Sequence, residues 1–341
     1  MDKHSGSIAY NRLDMQVSQV FHLAIELYDK YDYLLVLDHE DDITVFDDQS
    51  LHDSVSFYQM KTSNNSISLS MAINEGWIEK LYSHMYMPDI LVKELGLITN
   101  CPFKLDKKTL STDRTPFTDF GKEHIQKIKS AIATHRNIQI DDVDLSKMIH
   151  MRTTLSIDAH QRIVESEAND FLSVRFSQIK VQVVKTIVAA VFDILRRCQS
   201  YERLPIDAPH EKVANTKGFS RNTFNRIIKA AMKVNIPEFR YLVEVSKIPD
   251  EQKERAALAY TSVLADSNGN VGSFIDVFES LEHIVMGNAL MGGETLWEYS
   301  CRCKDKLLHQ KKRMAVVYKD DYYIEILTIC IYLTGDELHD N

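Results

Sequence analysis

Glycine and proline are scarce, 11 and 7 residues in a chain of 341. That shortage argues against disorder and against a turn-rich all-β fold. Cysteine is scarce as well. The five, at 101, 198, 301, 303 and 330, are odd in number and scattered. Cys301-x-Cys303 is too close for a zinc pair and has no second pair. These thiols read as buried or incidental ones in a reducing compartment. No run of about 18 apolar residues occurs, so no membrane span is expected. Residues 1–6 are polar, which predicts no secretory signal and a cytoplasmic location. The 13 histidines contain no H-E-x-x-H and no paired zinc spacing. Walker A, GxGxxG and GxSxG sequences are all missing. The chain is not expected to hydrolyse ATP by itself.

A basic excess is missing too. The net charge is −9, unlike that of a typical DNA-binding protein. The sum is uneven: −3 over residues 1–230 and −6 over 231–341. A nuclease also concentrates acids at its metals, which lowers the apparent basicity of its domain. The balance weakens a nucleic-acid function without excluding it. The 44% apolar and 26% charged content is that of a soluble globular protein. The length suits one large or two ordinary domains.

Residues 33–61, YLLVLDHEDDITVFDDQSLHDSVSFYQMK, carry the strongest local pattern. Apolar runs at 33–37, 43–46 and 55–60 are short, β-branched or aromatic, and bounded by polar residues. Three consecutive strands are expected. An acidic knot, Asp38, Glu40, Asp41 and Asp42, separates the first two. On the third strand Phe57, Gln59 and Lys61 share a face, and Tyr58 and Met60 take the other. A carboxylate at the start of the middle strand then lies beside Gln59 and Lys61. Metal-assisted phosphodiester cleavage needs these groups: a carboxylate and a second oxygen ligand for a hard divalent cation, and a cation near the reacting phosphate. Asp42 supplies the carboxylate, and Gln59 or the Met60 carbonyl the second oxygen. Lys61 supplies the ammonium that orients water or stabilises charge. The competing reading is a solvated acidic turn beside a chance Q-x-K.

Around this stretch the order of elements is informative. Residues 8–30 read as a helix, with Leu13, Val17, Val20, Phe21, Ala24, Leu27 and Tyr28 at helical spacing. Arg12, Gln16, Gln19 and Glu26 line another face, and Glu26 could add a carboxylate to a metal site. After Lys61, TSNNSISLS reads as a flexible polar loop able to touch a phosphate backbone. A helix is expected over 71–86 and a fourth strand over 95–99. Helix, three strands, helix and strand make the αβββαβ core of the restriction-endonuclease-like fold, an α/β class.

The chain resembles the double-stranded DNA endonuclease domain of bacterial antiphage effectors. Those effectors work with CD-NTase-type cyclic-oligonucleotide synthases or are encoded beside HerA-type ATPases. The matching pieces are SGSIAYNRLDMQ, HEDDITV, FYQMKT and GLITNCPF, with SKMIHMRTTLSIDAHQRIV (146–164) and KGFSRNTFNRII (217–228) similar to the family's helical elaborations. The resemblance implies a Mg²⁺-dependent nuclease, with Mn²⁺ as the alternative ion. It puts the metal-binding acid at Asp42 and the Q-x-K at Gln59 and Lys61. The acid cluster is denser than that pattern requires, which leaves Asp38, Glu40 or Asp41 open as a second ligand. Lys61, Ser63, Asn64 and Lys104 are the expected DNA contacts, with Lys107 and Lys108 beside Lys104 in a small basic loop. Arg196-Arg197 reads as a solvated helix end.

Residues 1–230 are expected to form the nuclease domain, and 231–341 a helical C-terminal region for assembly or regulation. Loops at 266–270 and 291–294 separate the later helices. The last apolar segment, YYIEILTICIYL, has little chain left to cover it, which predicts a homo-oligomer or a partner such as a HerA-type ATPase. The leading expectation is therefore a duplex-DNA endonuclease of antiphage defence. A non-catalytic adaptor or DNA-binding subunit of an ATPase complex, and an RNase using the same site, are the alternatives.

Overall fold

The computed structural model describes residues 5–48, 54–87, 90–110, 112–176, 179–202, 204–205, 208–233, 236–269, 271–310 and 320–339. The chain is a mixed α/β protein with two compact units. Residues 1–175 and 194–223 form the first; 176–193 and 224–341 form the second.

The first unit opens with α1 (Ser5–Leu27), which starts and stops three residues before the periodicity suggested. Its inward stripe is fully buried at Met15, Val17, Val20, Phe21 and Ala24. The three expected strands follow: β1 (Leu34–Leu37), β2 (Ile43–Phe46) and β3 (Ser54–Lys61). Each is buried along nearly its whole length, which explains why they read as apolar runs rather than alternating ones. They form an antiparallel meander, with Ile43 opposite Tyr58 and Thr44 opposite Phe57.

After Lys61 the chain is more ordered than its polar composition suggested. β4 (Ile67–Ser68) pairs with β6 (Phe103–Leu105), and β6 pairs with β7 (Lys108–Thr109) in a small second sheet. The single helix expected at 71–86 is broken. α2 (Leu69–Asn74) begins earlier, where Ser68 Oγ accepts the Met71 N–H. α3 (Trp77–Tyr82) then restarts after Gly76 and runs into a tighter turn at Ser83–Tyr86. Gly76 has φ +68°, a left-handed conformation that glycine adopts without a Cβ penalty, and that residue turns the axis. β5 (Leu91–Thr99) runs parallel to β3 and is four residues longer at its start than expected.

β8 (Arg114–Pro116), α4 (Lys122–Arg136) and β9 (Met148–Arg152) complete the far side. The central sheet has seven strands in the order β10-β1-β2-β3-β5-β9-β8. Two segments expected to be helical are therefore partly sheet. Met148–Arg152 pairs in parallel with β5, and β10 (Gly218–Ser220) pairs with β1. Both are short stretches, of five and three residues, whose neighbours, not their own periodicity, select the strand. α5 (His160–Arg175) packs along α1, and α6 (Val181–Ser200) and α7 (His210–Lys217) come between it and β10.

One sheet face carries Phe57, Leu95 and Leu97 into a cluster with Ile78, Leu81 and Ile128 of α3 and α4. On the other, Val45 and Tyr58 share a small cavity with Leu23 and Leu27 of α1. Helices thus lie on both faces of β3, near the middle of the sheet.

In the second unit, α8 (Arg221–Lys233), most of which belongs here, precedes α9 (Phe239–Ser246), α10 (Lys253–Gly269), α11 (Val271–Met286), α12 (Leu296–Gln310) and α13 (Asp321–His339). Residues 266–269 are helical rather than the loop expected there. The apolar segment of α13 is not left uncovered. Tyr323, Ile324, Ile326, Leu327, Ile329, Cys330 and Ile331 are buried, and α10, α11 and α12 pack against the helix. Helices that precede it in sequence cover it, so chain length beyond a helix says nothing about its burial. No helix among the described residues is long and apolar enough to cross a membrane.

β3 and β5 meet at a place that tolerates no added atom. Gly96 lies opposite Tyr58, and a Cβ there would sit 2.3 Å from the Tyr58 ring. The Tyr58 hydroxyl donates to Glu94 at 2.8 Å, which holds the ring in place. Gly96→Ala should lower stability by about 1–3 kcal/mol. A thermal melt reads this. Tyr58→Leu in the Gly96→Ala background should recover part of the loss; an unchanged melt for Gly96→Ala alone would show that the ring yields freely.

Candidate active site

The hairpin turn between β1 and β2 places the acidic knot. Asp38 takes a positive φ of 46°, and its N–H donates to the Asp42 carbonyl at 3.1 Å. This closes the turn and divides the acids among different tasks.

Asp41 is tied into the protein. Its side chain is wholly buried. One oxygen accepts Lys80 Nζ at 2.9 Å and the Asp42 N–H at 3.0 Å; the other pairs with His84 Nε2 at 3.1 Å. The His84 ring stacks on Phe57, centroids 4.1 Å apart. Burial opposes ionisation of Asp41, but the His84 and Lys80 hydrogen bonds prevail and hold its pKa below the usual carboxylate range. Asp38 and Glu40 are turned elsewhere. The Asp38 carboxylate lies 3.6 Å from Lys217 and is largely in solvent; Glu40 lies 3.7 Å from His39. His39 keeps only 13% of its side chain in water.

Asp42 is the acid that faces a cavity. One carboxylate oxygen accepts the Met60 N–H at 2.7 Å, across the β2–β3 pair. Burial pushes its pKa up; the Met60 hydrogen bond opposes this and the nearby Asp41 charge adds to it. Lys61 lines the same cavity. Burial pushes its pKa down, partly offset by Asp42, and its Nζ sits 5.2 Å from the Trp77 ring centroid. The cavity, about 360 Å³, is lined by Arg12, Gln16, Asp42, Met60, Lys61 and Ser63 among others.

Gln59 lies behind this wall. It is 1% exposed. With its amide turned so that both ends pair, it donates to the Trp77 carbonyl at 3.3 Å and accepts from Lys80 Nζ at 3.2 Å. In this arrangement its amide braces α3 against β3 and does not line the cavity. Ser63 is fixed at the rim: its N–H donates to Asn100 Oδ1 at 2.8 Å, and Asn100 Nδ2 donates to its carbonyl at 3.1 Å. Asn64 is exposed on that rim. Lys104 is exposed on β6 opposite Ser68, one short strand away. Glu26 is removed from the site; it pairs with Lys30 at 3.0 Å and lines a different cavity. Arg196, expected in solvent, donates to Asp14 on α1 at 2.9 Å.

The arrangement brings the half-buried Asp42 carboxylate and the Lys61 ammonium into one recess. Among the described residues no group of three His, Cys, Asp or Glu side chains could hold a metal. Any cation would therefore rest on one carboxylate, neutral oxygens, water and substrate. Mg²⁺ suits that donor set, since it keeps several waters and leans on substrate phosphates. Mn²⁺ accepts the same oxygens. Sequence reasoning put Arg12 and Gln16 on a face of α1 without connecting them to Asp42. Their four-residue spacing showed only that they share a face.

Comparison with known proteins places the chain in a family. The family described as "Cap4, dsDNA endonuclease domain" matches residues 4–198, more than half of the chain. Lamassu protein LmuA of Bacillus cereus (strain VD014) is 26% identical over 289 residues, 81% of this chain and 81% of that protein. No solved structure matches the chain.

The two neighbouring aspartates should respond oppositely to mutation. Asp41→Ala strands Lys80 and His84 and should cost about 2–3 kcal/mol. That is below the value for a fully buried pair, because Lys80 keeps half its side chain in water. The Asp41 pairing stabilises the fold above its ordinary pKa near 3.8 and is lost as pH falls below that value. Asp42 has the reverse sign. It holds its proton more tightly when folded, so stability declines as pH rises above 3.8 toward its raised pKa. Asp42→Asn should thus melt at or above the wild-type temperature at neutral pH while cleavage is lost. A melt and a plasmid-cutting assay on both variants test this; a destabilised Asp42→Asn would show that the carboxylate is structural.

Proposed function

The chain belongs to the Cap4 dsDNA endonuclease domain family, and we propose that it is a metal-dependent endonuclease that cuts duplex DNA as the effector of an antiphage defence system. The observation that carries this reading is the shared cavity of Asp42, in the turn just before β2, and Lys61, at the end of the adjacent β3. Burial disfavours the charged form of both groups: the acid's pKa goes up and the amine's goes down. Such a pair is unfavourable for stability and useful for chemistry. The αβββαβ order and the family point to a restriction-endonuclease-like core, with residues 1–230 as the nuclease portion and 231–341 as the assembly portion.

Mg²⁺, when bound, would polarise a phosphoryl oxygen and lower the pKa of water. The chain's own residues then have distinct tasks. Asp42 offers the oxygen not engaged by the Met60 N–H, and the Met60 carbonyl is the nearest neutral donor in sequence. Gln59 acts from behind, by holding Trp77 and Lys80 so that the wall behind Lys61 does not move. Lys61, held against Trp77, brings positive charge to the attacked phosphate. Ser63, Asn64 and Lys104 extend from that point along the rim and meet neighbouring phosphates, which carry no sequence information.

Control is expected to come from assembly. With a net charge of −9 the isolated chain should bind DNA weakly. Bringing several copies together, on themselves or on a HerA-type ATPase, would multiply phosphate contacts. The burial of α13 removes an apolar argument for self-association, so this part rests on charge and resemblance.

Plasmid cleavage by the purified chain, with Mg²⁺, Mn²⁺ or EDTA and with and without the partner, is the test. Lys61→Met should reduce the rate by about 10²-fold or more with metal-dependent binding retained. Duplex DNA should be cut in preference to duplex RNA. Cutting that survives EDTA would eliminate the metal-dependent reading, and selective cutting of RNA would favour an RNase.

A further inference from the structure

We infer that Arg12 of α1 is a catalytic residue that grips the scissile phosphate through its guanidinium, opposite the Asp42–Lys61 pair; this rests on the nuclease reading above. Arg12 lines the Asp42 cavity from the helix side, whereas Asp42, Met60 and Lys61 come from the sheet. It is exposed, and among the described residues it forms no hydrogen bond or ion pair. Lys61 likewise has a ring contact but no ion pair there. The recess thus holds two cations without salt-bridge partners and a single carboxylate. Its unmet need is for an anion, and a phosphodiester entering it supplies one.

The helix around Arg12 is fixed at nearly every neighbouring position. Asn11 Nδ2 donates to the Ile157 carbonyl at 3.3 Å, and Asn11 Oδ1 lies 3.3 Å from His160 Nε2. The Leu13 carbonyl accepts Gln199 Nε2 at 2.9 Å. Asp14 accepts Arg196 Nε at 2.9 Å. Gln16 Oε1 accepts Gln199 Nε2 at 3.1 Å. Asn11 and Asp14 are spent on holding α1, and Gln16, which also lines the cavity, is engaged by Gln199; among the described residues Arg12 is the cavity-lining side chain of α1 without such a bond. A backbone held in this way lets a long side chain meet its ligand without reorganising the helix.

Arginine suits the task for a chemical reason. Its planar fork reaches two non-bridging oxygens at once, and it remains charged in a partly desolvated recess where Lys61 is pushed toward neutrality. The charge on those oxygens grows as the nucleophile adds, so the contact strengthens on the way to the transition state.

The experiment uses the full chain and two readouts. Single-turnover cleavage is followed with saturating duplex in Mg²⁺. Binding of a labelled duplex is followed in Ca²⁺ over a range of salt. Arg12→Ala should lower the saturated rate by about 10²-fold or more, and the slope of log affinity against log salt should fall by about 0.9, the loss of one phosphate contact. Arg12→Lys should restore the slope but not the rate, because the fork is gone. Lys129→Ala, a charge loss on α4 outside the cavity lining, should match wild type in both. A rate deficit that vanishes at saturating duplex would overturn the scissile assignment, as would full activity in Arg12→Lys. If the wild-type chain cuts nothing, with or without its partner, the nuclease reading fails by itself. The binding arm then decides: an unchanged salt slope in Arg12→Ala overturns the inference, and a slope reduced by about one keeps Arg12 as a phosphate ligand.

Discussion

The hydrogen bond from the Met60 N–H to the Asp42 carboxylate, 2.7 Å long, ties the acid to the strand that carries the lysine. Everything else at the site depends on that crossing. It sets Asp42 beside Lys61 rather than in the solvated turn from which it emerges. It also occupies one carboxylate oxygen and so leaves the other for a ligand. The crossing exists because β2 and β3 pair with Ile43 opposite Tyr58. A one-residue slip of that register would turn Asp42 away from Met60. The Phe57 contacts with α3 and β5 and the close packing of Tyr58 on Gly96 make such a slip expensive.

Two consecutive aspartates show how the fold separates stability from chemistry. Asp41 is fully paired and pays back its burial through Lys80 and His84. Asp42 is half-buried, with a single backbone donor and, among the described residues, no cation in direct contact. The first holds α3 to the sheet, and α3 in turn supplies Trp77 behind Lys61. The second keeps an electrostatic debt that an arriving cation would relieve. Strain of this kind is tolerated only because the surrounding contacts over-determine the geometry.

The strand meander was legible because each strand is an apolar run bounded by polar residues; the period-two alternation of Gln59 and Lys61 did not show that the Gln59 amide turns to Trp77 and Lys80. Other features were not. The break at Gly76 is hidden in a segment with helical spacing on both sides. Met148–Arg152 has no strand signature of its own; β5 recruits it as a neighbour. The covering of α13 comes from helices earlier in the chain. The Arg196 pairing with Asp14 spans 182 positions, a separation that local pattern does not register.

The sequence by itself determined that an acidic turn, a lysine strand and a short polar loop follow one another. Local preference and side-chain alternation are properties of neighbouring residues, so a linear reading recovers them. Only the tertiary structure decided which acid faces the cavity, that the Gln59 amide turns to Trp77 and Lys80, and that Arg12 of α1 joins the recess. Those outcomes depend on burial and on partners far away in the chain. Desolvation and hydrogen bonding act on whatever the fold brings within about 3 Å, and sequence order does not record that distance.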